Sequence, residues 1–341
     1  MTSIVDVARE SGVSVATVSR AMRGLDRVSD ETRARVLQVA ADLHYVASPT
    51  ASSLASGRTR VVGVVTPFVD RWYFATLISE IEKSIRDHVY HVLLFDLEDS
   101  VSRRRQLTLD MVVKRVDGLI VLNLPLTPPE EEVLRHVARP TVTIGRTYPG
   151  WSSVCIDDGL TVTTAVQHLV QLGHRDIAFI GAVARAEAYG DVPSQRRDAF
   201  IASMRAAGLR TCRQWLRECD WTARDATVDA SELLDHHNRP TAIVAASDEM
   251  ALGVLAAANR ARIRVPEELS IVGVDDFPLS AVFGLTTVRQ DVRAQASRAS
   301  AFLLHALDSR VTPPVEDVVL PTVLVHRDSS GPPPTPTARR V

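Results

Sequence analysis

The stretch that most constrains the fold of this chain is residues 4–23, IVDVARESGVSVATVSRAMR. Ile4 and Val7 are three positions apart, which places both on one face of a first helix. Gly12 can adopt the positive φ that ends a helix without steric cost, and Ser14 stands where the N-cap of a second helix belongs. The spacing therefore predicts two short helices joined by a tight turn.

Two helices joined in this way allow two interpretations. In a helix-turn-helix, the N-terminal side chains of the second helix reach base edges in the DNA major groove. Val15 and Ala16 could then contact thymine methyl groups, and Arg20 could pair with guanine or phosphate. The alternative is an ordinary helical hairpin inside a core. The candidate DNA-contacting residues of this stretch are Ser14, Val15, Ala16, Thr17, Ser19 and Arg20.

The composition is that of a globular protein, and its charge is uneven. Residues 1–60 hold 8 Arg and 6 acidic residues, whereas the rest of the 341-residue chain holds 31 basic and 35 acidic residues. A small basic head on an acidic body is typical of a DNA reader, although this imbalance alone proves little. The three cysteines form no CxxC, which argues against a disulfide framework or a zinc site.

The sequence also bounds location and chemistry. No signal peptide precedes the first helix and no apolar run could span a bilayer, so we expect a cytoplasmic, nucleoid-associated protein without membrane contact. No GxSxG, P-loop or GxGxxG is present, and the histidines lack metal-ligand spacing with the cysteines. We therefore expect no enzyme activity, no metal and no cofactor.

Residues 28–60 predict a third helix and a linker. Ser29 can cap the third helix, Val36, Leu37 and Ala40 turn inward, and Tyr45 ends it. Residues 46–60, VASPTASSLASGRTR, have the composition of a linker but also outline a short helix. A helix this short should form only when something holds it.

From residue 61 the pattern alternates between apolar strands and amphipathic helices. Near-continuous Val/Ile runs separated by helices predict parallel sheets covered on both faces, here two doubly wound lobes with a ligand crevice at the strand C-termini. The predicted strands are 61–67, 91–97, 117–123, 141–145, 176–182, a strand-like segment 213–219, 241–247, 270–276, one more strand between residue 286 and the helix at 292, and a final strand 318–326. The predicted helices are 75–87, 101–115, 129–138, 159–172, 194–207, 225–236, 248–261 and 292–308.

These observations predict four parts of the chain. The fold class is an all-α helix-turn-helix head followed by an α/β body of two doubly wound parallel-sheet lobes. The expected parts are a head at 1–46, a hinge helix and linker at 47–60, a body at 61–328 (N-lobe about 61–158 and 291–320, C-lobe about 159–290 and 321–328) and a disordered tail at 329–341.

The amino-acid sequence of the head resembles that of a known family. DVARESGVSVATVSR (6–20) and VSDETRARVLQVAADLHY (28–45) closely resemble the N-terminus of the lactose/galactose repressor family, and the likeness extends over almost the whole chain. The resemblance implies a periplasmic-binding-protein-like body. It also implies that Tyr45 lies near the DNA backbone, although packing on the three-helix core is an equal alternative.

The same resemblance gives the linker a role. In that family, two hinge helices pair on DNA and insert a leucine into the minor groove, and Leu54 matches that leucine; the alternative is a lone exposed leucine. Ala47 and Ser48 replace the usual Pro-Asn, so the start of the hinge helix can differ. No leucine-heptad helix follows the body, and a homodimer is therefore expected.

Several residues at strand C-termini form the candidate effector site. The resemblance implies that Tyr73-Phe74 and Trp221 stack on the effector, while Arg196 and Asp275 bind its polar groups; Ala199 replaces the family's glycine near this arginine. Arg146 could instead pair with Asp157 or Asp158, Asp248 could be a helix N-cap or a lobe contact, and Trp72 could be a packing residue. The candidates are Asp70, Trp72, Tyr73, Phe74, Arg146, Arg196, Trp221, Asp248 and Asp275.

Aromatic faces with an arginine and carboxylates suit a polar ring such as a sugar. The sequence therefore predicts a repressor that binds a pseudo-palindromic operator in double-stranded DNA and is regulated by a small carbohydrate-type effector. A purine-type corepressor is also consistent with this site, because ring-stacking aromatics serve both ligands. The body alone would look the same in a sugar-binding transport protein, but the DNA-binding head and the missing signal peptide argue against that interpretation. An enzyme on a doubly wound fold is a further alternative, but no acid/base pair stands out in the sequence.

Overall fold

The computed structural model describes residues 2–22, 24–45, 57–97, 106–183, 191–309, 311 and 313–334. The chain divides into two compact units, Met1–Arg60 and Val61–Val341. Leu54 and most of the predicted hinge helix lie outside the described residues.

The head contains three helices: α1 (Ile4–Ser11), α2 (Val15–Met22) and α3 (Asp30–Asp42). The helix ends carry the local signals expected from the sequence. Gly12 ends α1 with φ 68°, the Ser14 hydroxyl accepts a hydrogen bond from the Thr17 amide at 3.1 Å, and Ser29 caps α3 by accepting from the Thr32 amide. Each cap satisfies an amide or carbonyl that the helix itself leaves unpaired.

The head packs around a small core that includes Val7, Val18 and Val36, all fully buried. Leu37, expected to turn inward, is instead 46% exposed. Successive residues of an α-helix are rotated by about 100°, so the face that carries Val36 and Ala40 directs Leu37 sideways toward solvent.

The body contains two six-stranded sheets. The first sheet has the order β11-β5-β4-β3-β1-β2 and all its pairings are parallel. The second has the order β12-β10-β9-β8-β6-β7 and is parallel except for the antiparallel pair of β10 and β12. We call the halves built on these sheets the first and second lobe. The strands are β1 (Val61–Thr66), β2 (His91–Asp96), β3 (Gly118–Leu122), β4 (Thr141–Ile144), β5 (Ser152–Ile156), β6 (Ile177–Ala182), β7 (Leu216–Cys219), β8 (Ala242–Ala245), β9 (Ser270–Asp275), β10 (Thr286–Gln290), β11 (Asp317–Leu320) and β12 (Thr322–Val325).

The central strands are buried along their length, because helices cover both faces of each sheet. In the first lobe, Leu77 and Ile81 pack with Ile120 and Leu303 in one apolar cluster. The helices of the body are α4 (Trp72–Arg86), α5 (Leu109–Val112), α6 (Pro128–Val137), α7 (Asp158–Gln171), α8 (Val192–Ala206), α9 (Ala223–Leu234), α10 (Asp248–Arg260), α11 (Pro278–Val282) and α12 (Val292–Asp308), with a 3₁₀ turn at Arg213–Trp215.

Two predicted elements differ from the structure. The helix predicted over 101–115 is limited, in its described part, to α5, since Val113 leaves the helical region with ψ 129°. The single strand predicted over 318–326 is divided at Pro321, which has no amide hydrogen to donate to a ladder. Its first half, β11, pairs with β5 in the first sheet, and its second half, β12, pairs with β10 in the second.

Residues 329–331, predicted to begin a disordered tail, are instead packed against the body. Ser329 and Ser330 are only 3% and 4% exposed. The Ser329 hydroxyl donates to the Ile271 carbonyl at 2.7 Å and accepts from the Thr286 amide at 2.8 Å. Residues 329–331 therefore pack against the second sheet, because a polar segment can be buried when its hydrogen bonds are satisfied. The end of the predicted tail, 335–341, lies outside the described residues.

One strand, β5, is missing from the sequence prediction, since its alternating Ser and Val residues form no continuous apolar run. Within the described ranges, no helix is long and apolar enough to cross a membrane.

Candidate functional site

The second helix of the head presents an exposed edge. Ser14, Ala16 and Arg20 are exposed and Val15 is 40% exposed, whereas Val18 behind them is fully buried. Thr17 and Ser19 are half-buried. Tyr45 packs against the apolar core of the head. This edge has the small apolar, hydroxyl and guanidinium groups that a major-groove reader needs.

The body contains a cavity of about 500 Å³ between the two lobes. Most predicted effector residues line it: Asp70, Trp72, Tyr73, Phe74, Arg196, Trp221 and Asp275. Arg146 and Asp248 do not line it. Further lining residues include Phe68, Arg71, Asn123, Gly145, Asp158, Glu249, Phe277, Gln290 and Gln295.

Arg196 and Asp158 form a buried ion pair in the cavity wall. Arg196 Nε and Nη2 lie 2.8 and 2.6 Å from the same carboxylate oxygen of Asp158. Arg196 Nη1 also donates to the Ala246 carbonyl, and the guanidinium lies 5.4 Å from the Trp221 ring centroid. Burial opposes the charge of Arg196, but the nearby carboxylates of Asp158 and Asp275 raise its pKa.

A chain of hydrogen bonds runs from Tyr73 to Asp275. The Tyr73 hydroxyl donates to Gln295 Oε1 at 3.3 Å, Gln295 Nε2 donates to Gln290 Oε1 at 2.8 Å, and Gln290 Nε2 donates to Asp275 Oδ1 at 2.6 Å. Burial raises the pKa of Asp275 to about 6, although Arg196 and Gln290 act in the opposite direction. Burial likewise raises the pKa of the Tyr73 phenol. We call these four residues the relay.

Within the described part of the body, contacts made by Arg71, Trp72 and Arg146 of the first lobe cross the cleft to the second. Arg71 Nη1 donates to the Trp221 carbonyl at 3.0 Å, and the ring centroids of Trp72 and Phe277 lie 5.3 Å apart in an edge-on arrangement. The third contact joins Arg146 to Asp191 at 3.3 Å. The lobes are thus held together around the cavity.

The third contact identifies the partner of Arg146. This partner is Asp191 rather than Asp157 or Asp158. Asp158 pairs with Arg196, and Asp157 caps α7 by accepting from the Leu160 amide. The neighbour of Arg146, Gly145, lines the cavity instead.

Asp248 occupies the core of the second lobe instead of the cavity. Ser247, rather than Asp248, is the N-cap of α10, because its hydroxyl accepts from the Met250 amide. The Asp248 carboxylate accepts from the Phe277 amide at 2.9 Å and from the hydroxyls of Ser280 and Thr287 at 2.6 Å each. Burial raises the pKa of Asp248 to about 7. This carboxylate joins α10, α11 and β10.

Several lining residues have no signal in the sequence. No sequence motif marks Asp158, Gln290 or Gln295. Each lies at or near the end of a strand, so a search for polar side chains at strand ends could have found them. Asn123 follows β3 with φ 38°, and its buried Oδ1 has no hydrogen-bond partner among the described residues. Gly145 permits this placement, since an added Cβ would lie 2.9 Å from Asn123 Cγ.

Comparison with known proteins supplies the family. Residues 3–48 match the model for bacterial regulatory proteins of the lacI family, and residues 166–330 match a periplasmic binding protein-like domain. The HTH-type transcriptional repressor PurR of Edwardsiella ictaluri (strain 93-146) is 30% identical over 333 residues, which cover 96% of this chain and 94% of that protein. The chain belongs to the lacI family of bacterial regulatory proteins.

Solved structures of transcriptional regulators resemble the chain over nearly its full length. The lac repressor dimer bound to operator and the anti-inducer ONPF has a TM-score of 0.84 at 25% identity and covers 97% of this chain and 99% of its own. The complex of the regulator CelR with cellobiose has a TM-score of 0.69 at 26% identity and covers 96% and 100%. These likenesses confirm the predicted family and the predicted fold. The chain is a DNA-binding transcriptional regulator.

Proposed function

We propose that this lacI-family protein is a homodimeric repressor whose affinity for a pseudo-palindromic operator is controlled by a small carbohydrate-type effector bound between the lobes. The observation that carries the proposal is the cavity of about 500 Å³, which combines aromatic walls with polar side chains, among them Asn123, whose Oδ1 has no hydrogen-bond partner among the described residues. Trp72, Trp221 and Phe277 offer faces for the C–H groups of a sugar ring. Asn123 and Asp275 offer oxygens to its hydroxyls.

A purine-type corepressor is the second candidate. The relative named PurR favours it, as does the stacking capacity of Trp221 beside the paired Arg196 and Asp158. We prefer the carbohydrate for two reasons. CelR, which resembles this chain over nearly its full length, is seen in complex with cellobiose. The cavity lining is also rich in carboxylate and amide oxygens that can accept hydrogen bonds from hydroxyl groups.

Dimerisation follows from the recognition of two half-sites and has a candidate surface on the second lobe. Two symmetric heads require two symmetric half-sites one helical turn apart or multiples of it. On α11 and just after it, Leu279, Val282 and Phe283 are 43%, 74% and 59% exposed. A second copy of the chain covers this apolar surface in our proposal.

The proposed mechanism couples the cleft to the hinge. Effector binding changes the contacts that Arg71, Trp72 and Arg146 make across the cleft, and the first lobes of the dimer shift relative to each other. The hinge helices then lose each other and melt, and the operator is released. Such coupling requires a difference in effector affinity between two states, typically about 1–3 kcal/mol.

The test begins with a thermal-shift panel of neutral monosaccharides and disaccharides, their phosphates, and the purines hypoxanthine and guanine. A ligand at 100 times its Kd adds about 2.7 kcal/mol of stability. An operator is selected from random duplex DNA, and its release by each hit is followed by fluorescence anisotropy. A sugar that releases the operator supports the proposal, whereas a purine that tightens binding establishes the corepressor.

The matched variant for this test is Asp275→Ala. It should retain operator binding and lose the response to the sugar, since Asp275 lies in the cavity and the DNA-contacting edge lies in the head. A normal response would place the effector site elsewhere.

A further inference from the structure

Two glutamine side chains are buried where apolar residues would pack at lower cost. Gln295 is 0% and Gln290 is 6% exposed, and both line the cavity. Burying an amide is unfavourable unless it is hydrogen-bonded. Each amide here donates and accepts within the relay.

The direction of every bond in the relay is set at its carboxylate end. An ionised carboxylate only accepts, so the NH₂ group of Gln290 must face Asp275. Gln290 Oε1 is then turned toward Gln295, whose NH₂ group donates to it, and Gln295 Oε1 is left to accept from Tyr73. One oxygen of Asp275 is thereby engaged, and its second oxygen can serve a ligand in the cavity.

The relay also spans a connection between the lobes. Gln290 ends β10 in the second sheet, Asp291 caps α12, and Gln295 lies in the first turns of α12. Helix α12 packs in the apolar cluster of the first lobe, together with residues of α4, the helix that carries Tyr73. The bond between Gln290 and Gln295 therefore joins a strand of one lobe to a helix that packs in the other.

We propose that Gln290 and Gln295 are positioning residues of the effector site, which hold Asp275 as an acceptor for a hydroxyl or N–H group of an uncharged effector and link that contact to the connection between the lobes. This inference rests on the proposed function, because it assumes that the cavity binds the effector. Gln290 and Gln295 would thereby select which groups of the ligand Asp275 binds, and they would couple ligand binding to the position of the lobes.

The charges around the cavity favour an uncharged ligand. The guanidinium of Arg196 is already paired with Asp158, and Arg71 donates to the Trp221 carbonyl. A phosphate in the cavity would therefore be repelled by the carboxylates, because both arginines of the described lining are already engaged. The ionisable groups that face Asp275 are Arg196, Asp158, Glu249, Asp248 and Tyr73.

The test compares Gln295→Met with the control Ser300→Ala. Met fills a similar volume without hydrogen bonds, and Ser300 is a buried residue of the same helix whose hydroxyl has no partner among the described residues. Affinity is measured by calorimetry for the neutral sugar that binds the wild-type protein best. Gln295→Met should lose roughly ten- to a hundredfold in affinity, and Ser300→Ala should not change it.

A pH profile separates positioning from a general structural role. Because Gln290 lowers the pKa of Asp275 by donating to it, loss of the relay should raise that pKa. The pH below which sugar affinity falls should therefore be higher in Gln295→Met than in wild type. An affinity lowered equally at every pH, or a phosphorylated sugar that binds more tightly than its neutral parent, would overturn the inference and leave the proposed function standing.

If no sugar in the panel binds, the proposed function fails. A measurement without ligand then tests whether the four residues of the relay act as one hydrogen-bonded network. The melting-temperature changes of Gln295→Met and Asp275→Ala should not sum in the double variant, because each removes a hydrogen-bonding group from the same network. Those of Ser300→Ala and Asp275→Ala should sum. Additivity in both pairs would overturn the inference.

Discussion

Arg196 Nη2 lies 2.6 Å from Asp158 Oδ1, and the two side chains are only 5% and 9% exposed. The pair joins the first residue of α7 to helix α8 and forms part of the cavity wall. A charge this deeply buried depends on its partner, since removing one member leaves the other without compensation.

Replacing Arg196 by Met should therefore destabilise the protein by about 3–5 kcal/mol. The measurement is the free energy of unfolding from urea titration. The control is Arg86→Met, which removes the surface pair with Glu82, whose side chains are 66% and 41% exposed; this change should leave stability almost unaltered. Equal losses in the two variants would contradict the prediction.

Leu54→Ala should strongly weaken binding to the selected operator while leaving effector binding intact. The reason comes from the family resemblance, since a leucine inserted into the minor groove opens a base step and permits the bend that adds contacts. Anisotropy with a labelled operator measures the loss. Leu37→Ala, at an exposed leucine of α3, serves as the control. Unchanged operator affinity of Leu54→Ala would exclude insertion.

Removing residues 329–341 should lower the melting temperature of the body, because Ser329 and Ser330 fill hydrogen bonds that the second sheet cannot satisfy alone. Ser329 bonds to Ile271 and Thr286, and the Gly331 carbonyl lies 2.9 Å from His174 Nε2. A chain ending at residue 334 keeps these contacts and should melt as the full chain does. Identical melting of both truncations would show that the segment contributes nothing.

The buried carboxylate of Asp248 should make stability depend on pH. Its pKa is raised from 3.8 to about 7, so between these values the folded state holds a proton that the unfolded state has released. The contribution of Asp248 to the free energy of unfolding therefore falls as pH rises from about 4 to 7 and is constant above. Asp248→Asn, which cannot titrate, should lack this component.

The measurement for Asp248 is the difference in unfolding free energy between wild type and Asp248→Asn at pH 5 and pH 8. The wild type should lose stability relative to the variant as pH rises, by a few kcal/mol at most. Parallel profiles would show that Asp248 has the same pKa in the folded and unfolded states.

Local signals in the sequence were sufficient for much of the fold. Gly12, Ser14 and Ser29 act on the amides and carbonyls of their own helices, so their roles follow from neighbours a few positions away. The Val/Ile runs identified most strands because a strand covered on both faces must be apolar throughout. The family resemblance added Tyr73, Arg196, Trp221 and Asp275, whose placement around one cavity is observed.

Long-range contacts decided the rest. Asp248 lies outside the cavity because its carboxylate accepts hydrogen bonds from Ser280 and Thr287 in the core. The strand predicted at 318–326 is divided because its two halves pair with different sheets.

The pairing of Asp158 with Arg196 and the relay through Gln290 and Gln295 join residues brought together from different elements. The helix-turn-helix head, the alternating body and the kinds of group available for a site follow from the amino-acid order, because they depend on local capping and on periodic burial. Which of those groups face the cavity and which pair with one another depends on the folded chain, because packing across the fold selects the partners of a buried polar side chain.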